Sequence, residues 1–256
     1  VTAAPRRPIV LAHGLAGFSQ IGVKRLKLAT YFKGIPEHLT ARGCRVISAE
    51  VPPLGSVAAR AERLRDCIRD AAGDERVHVV AHSMGGLDAR HMISHLGMDA
   101  QVLSLVTLGA PHRGSPIADR AFEFATKTRL LAALQLSKIE HAALHDLRPH
   151  ACARRNETTP DAPGVRYFSI AGVKHREKMI YGLRFTHDLV APSEGPNDGL
   201  VSARSAAWGE VWPRWDCDHV NLVGWTGPRT TALGYARDVR PRFARIAARL
   251  AEIEPR

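Results

Sequence analysis

The chain has no long apolar run. Stretches such as Ile9–Ala12 and Val102–Leu108 fall far short of the ~20 residues that a membrane-spanning helix needs. Aromatic residues make up only 6% and no nucleic-acid-binding motif is present, so nucleic acid is not the expected partner despite a formal net charge of +11. The densest basic stretch, Arg229 to Arg249, places its arginines outside an apolar stripe and includes Asp238. It reads as a solvated helix face, and a basic surface also suits contact with an anionic lipid interface. The four cysteines form no CxxC and no zinc-like cluster. Cys44, beside a strand, and Cys67, in a helix, are expected as buried thiols. Cys152 and Cys217 fall in expected loops, and whether they pair is left open. No signal-peptide pattern is seen, and the first residue is Val1 rather than Met. Trimming of a leader fits that start, and the absence of one says little about export, so the expected location is secreted or left open.

What the chain does have is apolar content, 45% over 256 residues, enough for a single domain spanning 1–256. Short apolar runs alternate with helical patterns. Strands are expected at Pro8–Ala12, Arg45–Val51, Val77–Ala81, Val102–Leu108 and Arg166–Ala171. Val57, Ala61, Leu64, Ile68 and Ala71 recur at helical spacing, which predicts a helix over Val57–Ala72, stopped by Gly73-Asp74. Another is expected from Met84 to Leu96, and Val239, Phe243, Ile246, Leu250 and Ile253 predict a C-terminal amphipathic helix. The alternation predicts an α/β fold: a mostly parallel central sheet with helices on both faces. Residues 117–150 are helical in pattern and longer than one crossover needs. They read as an inserted helical lid, with a double crossover as the alternative.

Ala81-His82-Ser83-Met84-Gly85-Gly86 follows an apolar strand and opens a helix. It fits the nucleophile-elbow pattern G-x-S-x-G with Ala for the first Gly, where a sharp turn tolerates only small neighbours and lifts the serine above the sheet edge. Ser83 is therefore the candidate nucleophile. His13-Gly14-Leu15-Ala16-Gly17 follows the first strand. A small-residue loop there can bring a backbone donor to an oxyanion, so the N–H groups of Leu15 and Met84 are the candidate oxyanion hole. His13, Gly14 and His82, which flank these groups, are expected to line the substrate site. A serine needs a base, and this arrangement runs Ser, acid, His along the chain. His219, the last histidine, is the candidate base. Asp198, in a tight polar turn, is the candidate acid. Asp188 is the runner-up, and Glu194, Asp216 and Asp218 are further candidates. His91 with His95, and His141 with His145, have metal-chelating spacing, but surface histidines are the plainer reading.

Four segments carry a family resemblance: Ile9-Val10-Leu11-Ala12-His13-Gly14-Leu15, the elbow at 81–86, Leu108-Gly109-Ala110-Pro111-His112-Arg113-Gly114-Ser115, and Asn197-Asp198-Gly199-Leu200-Val201-Ser202. In this order they resemble the bacterial true lipases of the α/β-hydrolase superfamily, of the Pseudomonas and Burkholderia type. The Ala81 elbow also looks like that of small Bacillus lipases. The resemblance implies an α/β-hydrolase fold, triacylglycerol hydrolysis at an oil–water interface, an opening lid, and Asp198 and His219 as acid and base. For some members it implies a folding chaperone. It implies no cofactor for the chemistry but a calcium ion steadying the histidine loop. There the chain departs: an acidic ligand is expected two residues after the base, and Asn221 stands in its place, a weak calcium candidate offering one carbonyl oxygen. Arg204 occupies the position of a family cysteine. The alternatives are a carboxylesterase for short soluble esters, an acyltransferase, and a non-catalytic lipid-binding module.

Overall fold

A computed structural model describes residues 4–15, 31–128 and 142–254. Six strands form one sheet: β1 (Ile9–Ala12), β2 (Val46–Ser48), β3 (Val77–His82), β4 (Val102–Leu108), β5 (Arg166–Ile170) and β6 (Glu210–Val211). Their order is β2-β1-β3-β4-β5-β6, and every neighbouring pair is parallel. The described helices are α1 (Ile35–Thr40), α2 (Val57–Ala72), α3 (Gly85–His95), α4 (Pro116–Lys127), α5 (Ala142–Asp146), α6 (Pro149–Thr158), α7 (Tyr181–Glu194), α8 (Ala203–Ala206), α9 (Pro228–Ala232) and α10 (Arg240–Ile253).

The period-2 alternation of strand side chains divides the core into two layers. Ile9, Leu11, Val80, Val106 and Phe168 pack with Ile35 and Leu39 of α1 and Phe243, Ile246 and Leu250 of α10. Val10, Ala12, Val79, Ala81 and Leu105 pack on the other face with Ala61, Leu64 and Ile68 of α2 and Ala89, Met92 and Ile93 of α3. The uninterrupted apolar strands of the sequence are thus buried on both sides, the condition that parallel sheets require.

The expected elements at 57–72 and 102–108 coincide with α2 and β4. The expected strand at 45–51 is shorter, ending at Ser48. Strand β6 was not expected: it is two exposed residues, Glu210 and Val211, with no apolar run to announce it. Within 117–150 the structure describes α4, α5 and the start of α6; residues 129–141, including His141, lie outside the described residues. Cys152 sits in α6 rather than in a loop. Both Cys152 and Cys217 are free thiols, as are Cys44 and Cys67. The first two cannot pair because they occupy different clusters, Cys152 beside Val57 and Met84, Cys217 beside Val223 and Phe243.

Candidate active site

Ser83 occupies the turn between β3 and α3 at φ 55°, the one non-glycine residue at positive φ among the described residues. A left-handed backbone costs an L-residue roughly 1–2 kcal/mol, so the surroundings must hold it. The Ser83 N–H donates to the Leu108 carbonyl at 2.9 Å. The small neighbours have specific reasons. A Cβ on Gly85 would lie 2.7 Å from the Ala12 carbonyl oxygen and 2.8 Å from that of His13. One on Gly86 would lie 2.6 Å from the Ala110 Cβ, and one on Gly14 would lie 2.7 Å from the Ser83 Cβ. The β1 loop and the elbow are therefore in direct backbone contact.

The structure brings Ser83, His219 and Asp198 together. His219 Nε2 lies 3.0 Å from Ser83 Oγ, and His219 Nδ1 lies 2.8 Å from Asp198 Oδ2. The carboxylate only accepts, so Nδ1 carries the proton and Nε2 is left bare toward the serine hydroxyl. Asp198 is fully buried. Its Oδ1 accepts from the N–H groups of Leu200 at 2.9 Å and Val201 at 2.8 Å, which fixes the carboxylate plane. The other acids have other partners. Asp188 is half-exposed on α7 and paired with Arg176 at 2.6 Å. Glu194 accepts from the Ser202 hydroxyl. Asp216 pairs with Arg237 at 2.6 Å, and Asp218 lies 3.8 Å from Lys174. Gly109, at the end of β4, makes room for the acid–base pair: its Cβ would lie 2.9 Å from Asp198 Oδ2 and 3.5 Å from His219 Nδ1.

Leu15 packs against the cluster that contains Met84 and Leu87, so the backbone segments of the two candidate oxyanion donors are adjacent. Ala16 and Gly17 of that loop lie outside the described residues. Of the residues expected to line the substrate site, His13 and His82 have protein groups at both ring nitrogens. His13 is buried, donates from Nδ1 to the Gly14 carbonyl at 3.0 Å, and accepts at Nε2 from the Val51 N–H at 3.3 Å. His82 is buried, with Nε2 at 3.0 Å from the His219 carbonyl and Nδ1 at 2.7 Å from the Tyr31 hydroxyl. Burial holds both imidazoles below their ordinary pKa, His82 well below, so His82 is neutral. A carbonyl can only accept, so Nε2 donates and Nδ1 accepts a hydrogen bond from the Tyr31 hydroxyl.

Arg60 was not singled out in the sequence. It is fully buried on α2, pairs with Asp88 of α3 at 2.8 Å, and donates to the carbonyls of Pro52 at 2.7 Å, His13 at 2.7 Å and Gly14 at 3.2 Å. It clamps the His13-Gly14 turn that precedes Leu15. Burial pushes the Asp88 carboxyl up to about 7, against the pull of Arg60. The available signal was position: Arg60 shares a helical stripe with Val57, Ala61 and Leu64.

The residues present do not fit a calcium ion at the histidine loop. The carboxamide of Asn221 is turned to Arg237, accepting from its N–H at 3.1 Å and donating to its carbonyl at 2.9 Å. The nearest carboxylate, Asp218, accepts from the N–H groups of Asn221 at 3.0 Å and Ile180 at 3.2 Å and already faces an ammonium. Among the described residues no group of three or more His, Cys, Asp or Glu side chains could hold a metal. The His91 and His95 rings stack at 4.5 Å, with no third ligand beside them among the described residues.

Residues 55–222 match the family model described as a PGAP1-like alpha/beta domain. The chain belongs to this family. The matched span of the PGAP1-like domain contains Ser83, Asp198 and His219 and leaves out Leu15. Among curated proteins, the chain is 29% identical over an alignment of 302 positions to "Triacylglycerol lipase 2" of Saccharomyces cerevisiae, covering 96% of this chain and 92% of that protein. It is 36% identical over 117 residues to a "Triacylglycerol lipase" of Vibrio cholerae, covering 44% of this chain and 35% of that protein. Among solved structures, it superposes on a metagenomic carboxyl esterase with a TM-score of 0.77 at 20% identity, covering 98% of this chain and 76% of that one. It superposes on Staphylococcus hyicus lipase with a TM-score of 0.75 at 18% identity, covering 98% and 97%. These likenesses establish the α/β-hydrolase fold for this PGAP1-like domain.

Proposed function

We propose that this chain is a serine-dependent carboxylic ester hydrolase that acts on triacylglycerols, with Ser83 as nucleophile, His219 as general base and Asp198 as the orienting acid. The observation that carries this reading is the unbroken line from Ser83 Oγ through His219 to Asp198, at 3.0 and 2.8 Å. His219 Nε2 takes the serine proton as Oγ attacks the ester carbonyl. The backbone N–H groups of Leu15 and Met84 hold the resulting oxyanion, and the N-terminus of α3 adds a favourable dipole. The imidazolium, stabilised by Asp198, then protonates the departing alcohol. Water repeats the sequence on the acyl-enzyme and releases a fatty acid. No step calls for a cofactor.

Lipid rather than small soluble ester is favoured by the yeast relative and by the surface beside the acid turn. Helices α4 and α7 pack together. The N-cap of α4, Ser115, donates to the Leu200 carbonyl, and Leu183 of α7 lies against Gly199. From these two helices project Phe124, Tyr181 and Phe185, 65%, 80% and 70% exposed. Rings so exposed beside a catalytic turn suit an oil–water interface, and residues 117–150, which include α4, serve as the lid.

The test is hydrolysis of p-nitrophenyl esters and of emulsified triacylglycerol by the wild type and Ser83→Ala, with a fluorophosphonate probe as a label. Loss of both activities and of labelling in a folded variant is expected. Turnover near wild type in that variant would end the reading. An activity jump above the solubility limit of the ester marks a lipase; its absence marks a carboxylesterase. Transfer to added alcohol in preference to water marks an acyltransferase.

A further inference from the structure

Directly before the base stands a buried carboxylate, Asp218, 1% exposed at its side chain, and 3.8 Å away is the equally buried ammonium of Lys174. Moving either charge out of water costs several kcal/mol. Among the described residues Lys174 Nζ makes no hydrogen bond that would offset this cost, so charge is what joins the pair. Lys174 also sits where two loops meet. Its backbone N–H donates to the Asn197 carbonyl at 3.3 Å, next to Asp198, and the preceding Val173 N–H donates to the Trp215 carbonyl at 2.9 Å, in the segment leading to His219. One residue thus touches the acid turn through its main chain and the histidine loop through its charge.

We propose that the ammonium of Lys174 is a built-in cation that takes the place of a structural metal ion, joining the loop that carries Asp198 to the loop that carries His219 through Asp218. A divalent cation beside Asp218 would meet the charge of Lys174, and the one side-chain oxygen of Asn221 is turned to the Arg237 N–H. The two loops are joined instead by the Lys174–Asp218 pair and by the Lys174 N–H on the Asn197 carbonyl, while Asn221 ties the histidine loop separately to the main chain of Arg237. Lys174 touches no reacting atom; it is a positioning residue. The pair also balances charge. Burial disfavours ionisation of Asp218, the ammonium of Lys174 opposes this, and the buried carboxylate of Asp198 adds a smaller push in the same direction as burial.

The inference rests on the ester-hydrolase reading only for its kinetic readout; calorimetry and melting stand without it. Calcium chloride titrated into EDTA-treated wild type should give no binding heat and no shift in Tm, with full ester hydrolysis retained. Lys174→Met, which keeps the bulk and removes the charge, should lower Tm and reduce kcat by about tenfold with KM within about twofold, because the base is misplaced rather than the substrate site lost. Lys174→Met with Asp218→Asn, which removes both charges, should recover most of the lost Tm. Stoichiometric calcium binding by the wild type, or a Lys174→Met variant with unchanged kcat, overturns the proposal. If the single variant fails to fold, a double variant that folds with a calcium-insensitive Tm sustains it, and one stabilised by calcium overturns it.

Discussion

His82 Nε2 holds the main-chain carbonyl of His219 at 3.0 Å, so the residue before the nucleophile braces the backbone of the base. His219 is then fixed at four points: its N–H donates to the Asp198 carbonyl at 2.8 Å, its carbonyl accepts from His82, and its ring spans Asp198 and Ser83. Replacing His82 with Phe should lower kcat by about tenfold at nearly unchanged KM, since about 1.4 kcal/mol of lost positioning corresponds to tenfold in rate. His82→Gln, whose amide can still reach the His219 carbonyl, should retain most of the activity. Steady-state kinetics of the two variants check this; equal losses in both would refute the brace.

The strain at Ser83 should be measurable. Glycine adopts positive φ without a steric penalty. Ser83→Gly and Ser83→Ala should both be inactive, but the glycine variant should be more stable than the alanine variant by about 1 kcal/mol. Urea denaturation of both proteins checks this. Equal midpoints would mean that the turn stores no strain.

The buried Arg60–Asp88 pair should be costly to break on one side. Arg60→Met leaves a buried carboxyl without its partner and three carbonyls without their donor, and should cost about 3–5 kcal/mol. Arg60→Met with Asp88→Leu should recover part of that loss. Since Arg60 clamps the His13-Gly14 turn, kcat/KM should fall in any folded Arg60 variant. An Arg60→Met protein as stable as the wild type would contradict the clamp.

Stability should fall in mild acid through buried neutral histidines. Burial lowers His82 and His112 well below 6.5, and His13 and His78 less far. The unfolded chain takes up these protons as pH falls through 6.5 while the folded chain does not. Stability is therefore complete above that pH and is lost below it, by about 1.4 kcal/mol per pH unit for each histidine that stays neutral. Asp88, raised to about 7, acts with the opposite sign in this window and offsets about one of them. In denaturation series at pH 7.5, 6.0 and 5.0, His112→Gln should have the flatter profile by about 1.4 kcal/mol per unit. Parallel profiles would show that His112 is protonated in the fold.

Much of this architecture was legible because strand and helix periods act locally. The apolar run at 102–108 and the stripe at 57–72 are the same length in the fold as in the pattern. Strand β6 escaped because its two residues pair with β5 without burying a side chain. The site divides in the same way. Ser83 was readable because its chemistry sits in one turn of contiguous small residues. The partners of His82 were not readable, because its ring meets Tyr31 and a backbone carbonyl 137 positions away.

From the sequence alone came the element order, the strained turn around Ser83, and a short set of acids and bases with chemistry suited to it, since residue type and local spacing are properties of the chain. The sequence already ranked Asp198 ahead of Asp188; only the folded chain set its carboxylate against His219, left Cys152 and Cys217 apart, and set Arg60 and Lys174 against loops far from them in sequence. Those choices depend on which distant groups share a water-free space. There an unmatched charge or an unused hydrogen bond is costly, so partners are selected by geometry across the whole molecule rather than by neighbours along it.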